Sequence, residues 1–207
     1  MKSRIEIKTQ AKSILHGNYG MCLAPCLIYM LLGMVASGVT LGLGSLLIIP
    51  IAVGMNLVYL MHWKGENPPL ELMFTSAFQE NFLRTLGSML LVSLYTYLWS
   101  LLFIIPGIVK AYAYAMTPYI LAKFPNVDAV SAIDISRRIM NGRKADLFVV
   151  DLSFIGWNLL SVLTFGILQI FYVSPYQMIT RAGCFDEYLA DALENGRISL
   201  DELKING

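Results

Sequence analysis

The sequence predicts an all-α fold: a polytopic transmembrane helical bundle of about six spans in three parallel hairpin repeats, with amphipathic helices at the cytoplasmic interface. Three observations carry this reading. Hydrophobic residues make up 57% of the 207 and charged residues 14%, where soluble domains hold about 45–50% and about 25%. The apolar residues are gathered into long uncharged runs, for which the bilayer is the natural solvent. Lys and Arg cluster on one side of those runs and leave the tips on the other side bare.

The whole chain, 1–207, reads as a single transmembrane domain. Its first run covers residues 20–39, after Lys2, Arg4, Lys8 and Lys12. A secretory signal has a similar basic flank, but this run has the length of a full span. A second run also follows at once, and Ala36-Ser37-Gly38 is a poor cleavage context, so the segment is read as retained. The second run, 45–63, lies beyond the uncharged turn Thr40-Leu41-Gly42-Leu43-Gly44. The third, 85–105, is stopped by Pro106-Gly107, and the fourth covers 108–123. The fifth, 145–163, ends at Thr164-Phe165-Gly166, and the sixth covers 167–181. The fourth and sixth fall short of the roughly 20 residues a span needs, so they tilt or continue as helix into the cytoplasm.

Orientation follows from the basic residues. Lys64 and Arg84 sit in the second connection, Lys123, Arg137, Arg138, Arg143 and Lys144 in the fourth, and Arg181, Arg197 and Lys204 in the tail. The expectation is a membrane protein with both termini cytoplasmic. Lys110 is the exception, placed near an outer tip where it snorkels.

The cytoplasmic segments carry helical stripes. Amphipathic helices are expected over 2–15, 68–82, 128–141 and 184–195. Asn67-Pro68-Pro69 opens the second, whose stripe is Leu70, Met73, Phe74, Ala77, Phe78 and Phe82. The third uses Val130, Ile133 and Met140 and closes on Asn141-Gly142; the fourth uses Phe185, Tyr188, Leu189, Ala192 and Leu193 and closes on Asn195-Gly196. They lie in the interface or pack across the base of the bundle, unless they bind a partner helix.

The chain also resembles itself. Lys12 to Gly20 parallels Arg137 to Ala145, each an amphipathic turn, a glycine break and the start of a run. Pro106-Gly107 followed by Thr117-Pro118-Tyr119 parallels Phe165-Gly166 followed by Ser174-Pro175-Tyr176. The unit recurs about three times at a period of roughly 60 residues, always in the same sense, so the repeats are parallel.

Four polar residues within the runs form the candidate intramembrane site: Asp151, Asn158, Lys110 and Gln169. Asp151 lies within two turns of the cytoplasmic end of its run, where a carboxylate costs about 2.5–3.5 kcal/mol on insertion scales, so it needs a partner or water. Asn158, seven residues on, falls on the same helical face. The pair is either an interhelical hydrogen-bonding group or a substrate or proton site. Lys110 and Gln169 each follow a tip glycine by three residues and suggest an outer polar ring. Ser93, Thr96, Tyr97 and Ser100 share a face and read as interhelical glue. Pro50, Pro118 and Pro175 each interrupt the second helix of a hairpin, as hinges or static kinks.

No catalytic, cofactor-binding or metal-binding signature is present, and the chain reads as non-enzymatic. Its formal net charge of +1 gives no footing for nucleic acid. His16 and His62 read as interfacial. Cys22 and Cys26 share a helix face as small fillers, as does Cys184 elsewhere.

Pro118-Tyr119-Ile120-Leu121, Ala132-Ile133-Asp134-Ile135-Ser136, Met140-Asn141-Gly142-Arg143-Lys144, Leu152-Ser153-Phe154-Ile155-Gly156-Trp157 and Pro175-Tyr176 resemble the family catalogued as domain of unknown function 975. The resemblance implies a bacterial, largely Gram-positive, integral membrane protein and lends no catalytic residues. The resulting expectation is an accessory or scaffold protein, with membrane lipids and a membrane-protein partner or second copy as its contacts. The alternative is a small transporter or lipid-handling protein built on the polar site around Asp151.

Overall fold

The computed structural model describes residues 2–39, 45–78 and 82–203, and every regular element among them is helical. The expected first tip, Thr40 to Gly44, and the tail residue Lys204 lie outside the described residues.

Helix α1, Arg4–Gly17, starts on a capping box: the Ser3 hydroxyl accepts from the Glu6 amide while the Glu6 carboxylate accepts from the Ser3 amide. Its stripe Ile7, Ala11 and Leu15 is buried. Helix α1 runs antiparallel along α11 (Ser174–Glu194), with the Lys2 amide donating to Glu187 at 2.8 Å and the Tyr176 hydroxyl to the Lys8 carbonyl at 3.2 Å. The amphipathic segment thus packs on the bundle through α11. Helix α2, Tyr19–Val39, follows directly and carries Pro25 inside it.

Helix α3, Ser45–Trp63, is the centre of the core and contacts α2, α11 and the short helices α4, Leu72–Phe78, and α7, Thr117–Lys123. Two glycines permit the close approaches. A Cβ on Gly54 would stand 2.6 Å from the Ser76 hydroxyl, and one on Gly183 of α11 would stand 2.6 Å from the Trp63 ring. His62 is 2% exposed, packed within the protein, whereas His16 is exposed. The first stripe-bearing connection is anchored by Met73, fully buried under α3.

The second hairpin joins α5, Phe82–Leu102, to α6, Ile104–Tyr114, through the extended residue Phe103. Pro106 and Gly107 therefore do not stop the third run. They sit in the first turn of α6, where proline forfeits no intrahelical bond, and a Cβ on Gly107 would lie 2.8 Å from the Cα of Ser100. The fourth run is two helices, because the chain turns at Ala115 and Met116 before α7. Pro118 occupies the first turn of α7 rather than kinking a continuous helix. The fault is stitched by Ser136 of α8, Ala129–Ile139: its hydroxyl donates to the Ala113 carbonyl at 2.9 Å and accepts from the Met116 amide at 3.2 Å.

The third hairpin rises through α9, Lys144–Leu152, and α10, Ile155–Leu163, with a turn at Ser153 and Phe154 between them. Its tip holds Phe165 and Gly166 at positive φ, 51° and 81°, and Phe165 is 97% exposed. The chain returns through a π-helical stretch, Gln169–Val173, into α11, with Pro175 again in the first turn. The sixth run and the fourth amphipathic segment are thus one helical run, 167–194, which does not stop at Arg181. Of the three prolines expected to interrupt a helix, Pro50 alone lies inside an uninterrupted one.

The α8 stripe holds at Ile133 and Met140 but not at Val130. Ala132, Ile133, Ile135, Ser136, Ile139 and Met140 are buried, while Val130 is 62% exposed. The α11 stripe holds as read, with Phe185, Tyr188, Leu189 and Ala192 buried.

Burial is uneven along the molecule. The core is made by α1, α3 from Ile48 to Trp63, α7, α8 and α11, joined by Cys22 of α2, Met73 of α4 and Leu147 and Val150 of α9. Large exposed apolar side chains concentrate in three stretches: Leu31 to Val35 of the first hairpin, Leu90 to Val109 of the second, and Phe148 to Phe171 of the third.

Candidate functional site

Asp151, at the end of α9, is fully partnered. Arg181 of α11 grips it with a fork, Nε to Oδ1 at 3.1 Å and Nη2 to Oδ2 at 2.8 Å, and the Tyr112 hydroxyl of α6 donates to Oδ2 at 3.0 Å. A bidentate guanidinium–carboxylate pair is the strong form of this interaction, and it ties three helices at one point. The other candidates are not assembled around it. Asn158 is exposed on α10, beyond the turn at Ser153 and Phe154, so the seven-residue spacing does not carry it to Asp151. Gln169 donates to the Ser174 hydroxyl of its own helical run at 3.4 Å.

Lys110 is placed by its neighbours in α5, α8 and α9. Its ammonium rests 4.4 Å above the Trp99 ring, and the residue lines a cavity with Arg137, Arg138, Asn141 and Lys144 at the base. The outer ring with Gln169 is therefore not formed. Helix α6 is 11 residues long, so Lys110 lies within two turns of the fault that packs on α8. The hydroxyls on α5 also depart from expectation: Ser93 and Ser100 bond their own helix, to the Met89 and Thr96 carbonyls at 2.9 and 2.8 Å, instead of a neighbour.

Two arginine clusters at the base escaped the sequence reading. Asp191 of α11 accepts from Arg143, Nη2 to Oδ1 at 2.9 Å and Nε to Oδ2 at 3.2 Å, and pairs with Arg197. Arg197 donates to the Ile139 and Asn141 carbonyls at 3.2 and 2.8 Å, satisfying the C-terminal end of α8. Arg138 pairs with Asp134 at 3.0 Å and with Glu202. Burial pushes the Asp191 carboxyl up, but the Arg143 and Arg197 guanidiniums outweigh it and hold the group below the usual carboxylate range. The Arg138 guanidinium likewise lowers Glu202. Arg84 of α5 donates to the Leu121 carbonyl at 3.1 Å and to those of Phe124 and Val127, closing the end of α7. These basic residues, which set the orientation in the sequence, are also the fasteners of the base.

The Arg181 partner had a readable signal. Asp151 and Arg181 are the charges that bound the uncharged stretch 152–180, fourteen residues before Phe165 and fifteen after Gly166. Folding the hairpin at its tip brings them level.

The fold is thus an all-helical one fastened at one end by ion pairs. Among the described residues two helical stretches, Tyr19–Gly38 and Lys144–Leu163, are long and apolar enough to cross a membrane, and Ile48–Trp63 is a shorter apolar helix. No group of three His, Cys, Asp or Glu among the described residues is placed to hold a metal. Residues 104–189 match the family described as protein of unknown function (DUF975), the family that the sequence motifs resemble. The match contains Tyr112, Ser136, Asp151 and Arg181, and ends just before Asp191. No curated protein and no solved structure matches the chain.

Proposed function

We propose that the chain is a multi-pass protein of the bacterial plasma membrane, with six spans in three hairpins and both termini cytoplasmic, and that it serves there as a non-enzymatic accessory or scaffold protein. The observation that carries the reading is the distribution of exposure. Bare apolar side chains lie on the hairpins, in stretches that hold no Asp, Glu, Lys or Arg over 13–63, 85–109 and 152–180. Monomeric soluble proteins rarely expose apolar patches larger than a few hundred Å², whereas lipid covers such surface at no cost. The short fourth run fits as the return arm of a hairpin whose lower part enters protein packing.

Asp151 supports a structural role over a transport role. Both its oxygens are occupied, by Arg181 and Tyr112, and a carboxylate so held ties α6, α9 and α11 together. The scaffold reading is tested by cross-linking and recovery of the full-length protein from its membrane in mild detergent. A reproducible membrane-protein partner, lost when Leu94 and Leu98 on the exposed face of α5 are changed to alanine, is expected. Recovery of no reproducible partner overturns this reading.

A further inference from the structure

We propose that the cleft between α5, α6 and α8 is a binding site for an anionic phospholipid of the cytoplasmic leaflet, with the phosphate held by Lys110, Arg137, Arg138 and Lys144 and the chain region laid along Tyr95, Trp99 and Val130. The proposal rests on the membrane reading above, and adds a ligand and a site to it.

Two adjoining spaces make the cleft. The first is a cavity of about 270 Å³ lined by four cations, one carboxylate and Asn141. The carboxylate, Asp134, is already shared between Arg137 at 3.3 Å and Arg138 at 3.0 Å. Neither Lys110 nor Lys144 has an acidic partner among the described residues, so the cavity carries an excess of positive charge that calls for an anion with several acceptor oxygens. Arginine forks match phosphate geometry.

The second space, about 420 Å³, shares Asp134 and Arg137 with the first and is otherwise lined by Tyr95, Trp99, Tyr114, Val130 and Ile133. Trp99 joins the two, since its ring lies under the Lys110 ammonium and its edge borders the groove. A basic chamber opening into an aromatic and aliphatic groove is the complement of an amphiphile, and a soluble phosphate would leave the groove unused. The setting agrees. Lys144 begins α9 beside the arginine clusters of the base, and basic pockets between spans on the cytoplasmic side suit anionic headgroups. The exposed side chain of Val130, which interrupts the stripe expected for α8, is explained as a wall of this groove.

The experiment uses full-length protein in nanodiscs or detergent and measures retained lipid by native mass spectrometry, with phosphatidylglycerol, phosphatidylcholine and inorganic phosphate as probes. Phosphatidylglycerol is expected to be retained in preference to phosphatidylcholine. The double variant Lys110→Gln, Lys144→Gln is expected to lose on the order of thirtyfold in that affinity, while Lys12→Gln, away from the cleft, keeps it. Val130→Trp, which fills the groove without touching the cations, is expected to reduce phosphatidylglycerol binding and to leave inorganic phosphate unaffected. Circular dichroism melts of each variant separate lost binding from lost fold. Equal retention of both lipids, unchanged binding in the double variant, or inorganic phosphate competing as strongly as the lipid overturns the proposal, the last assigning the cavity to a soluble anion. A chain that inserts with the expected topology yet shows no lipid preference contradicts this site alone; a wrong topology contradicts the membrane reading on which it rests.

Discussion

Single side chains carry the fastening of the base, and their energetics set what each can tell. Asp151 and Arg181 have side chains 19% and 44% exposed, so their pairing is neither a fully buried bridge nor a surface one. Asp151→Asn leaves the Arg181 guanidinium half-satisfied at the edge of an apolar stretch and is expected to cost about 1–3 kcal/mol. The double variant Asp151→Asn, Arg181→Gln is expected to recover part of that loss in thermal unfolding in detergent. Strictly additive losses would show that the fork holds nothing. Asp191 gives a pH prediction. Its folded carboxyl titrates below the unfolded one, which holds its proton up to about pH 4. Between the two values the unfolded chain binds more protons, so stability rises with pH there, is complete above the window, and is lost as acid protonates the folded group. Asp191→Asn should flatten the acid limb of a stability–pH profile; an unchanged limb would remove Asp191 from the account. At this scale the sequence was most informative where local chemistry decides. The glycines read as helix caps, Gly142 and Gly196, do take positive φ, 78° and 64°. The ion pairs of Arg143, Arg138 and Arg197 are not legible there, because nothing local in a sequence says which carboxylate a long side chain will reach.

Helices were legible as apolar runs, but their internal faults were not. The fourth run is divided at Ala115 and Met116 because Ser136, twenty residues on, supplies the donor and acceptor that the turn needs. A hydrophobicity pattern carries no trace of that compensation, although the motif Ala132-Ile133-Asp134-Ile135-Ser136 contains the residue. Ser136→Ala is expected to destabilise the protein by about 1–3 kcal/mol, since it leaves a buried carbonyl and amide unsatisfied, seen as a lower melting temperature of the full-length chain. A melting curve that superposes on the parent would mean that water or a neighbour replaces the hydroxyl. Val130 shows the other limit. The stripe through it was drawn for a helix with one apolar side to bury, whereas α8 packs on both the hairpin and the base and leaves Val130 at the groove between them. In the third hairpin, by contrast, Phe165-Gly166 marked the turn correctly, because a positive φ is demanded there.

At the scale of the molecule, composition predicts an all-helical chain, and the structure has one. The division into a fastened base and bare hairpins follows from the same pattern of charge that set the orientation. Base charges are used in pairs, such as Arg143 with Asp191 and Arg138 with Glu202, while the hairpins keep bare apolar surface. The native thiols are poor probes of this arrangement, since Cys22 and Cys184 are fully buried and Cys26 is partly so. The central claim, that the hairpins insert from one side with their tips outside, is tested most directly by accessibility in intact cells. In a chain with all three cysteines replaced, Phe165→Cys at the exposed third tip and Asn195→Cys at the exposed end of α11 are introduced one at a time and treated with a membrane-impermeant thiol reagent. The account predicts that position 165 labels from outside and position 195 only after the cells are opened. Labelling of position 195 in intact cells, or of position 165 only in opened ones, would contradict it.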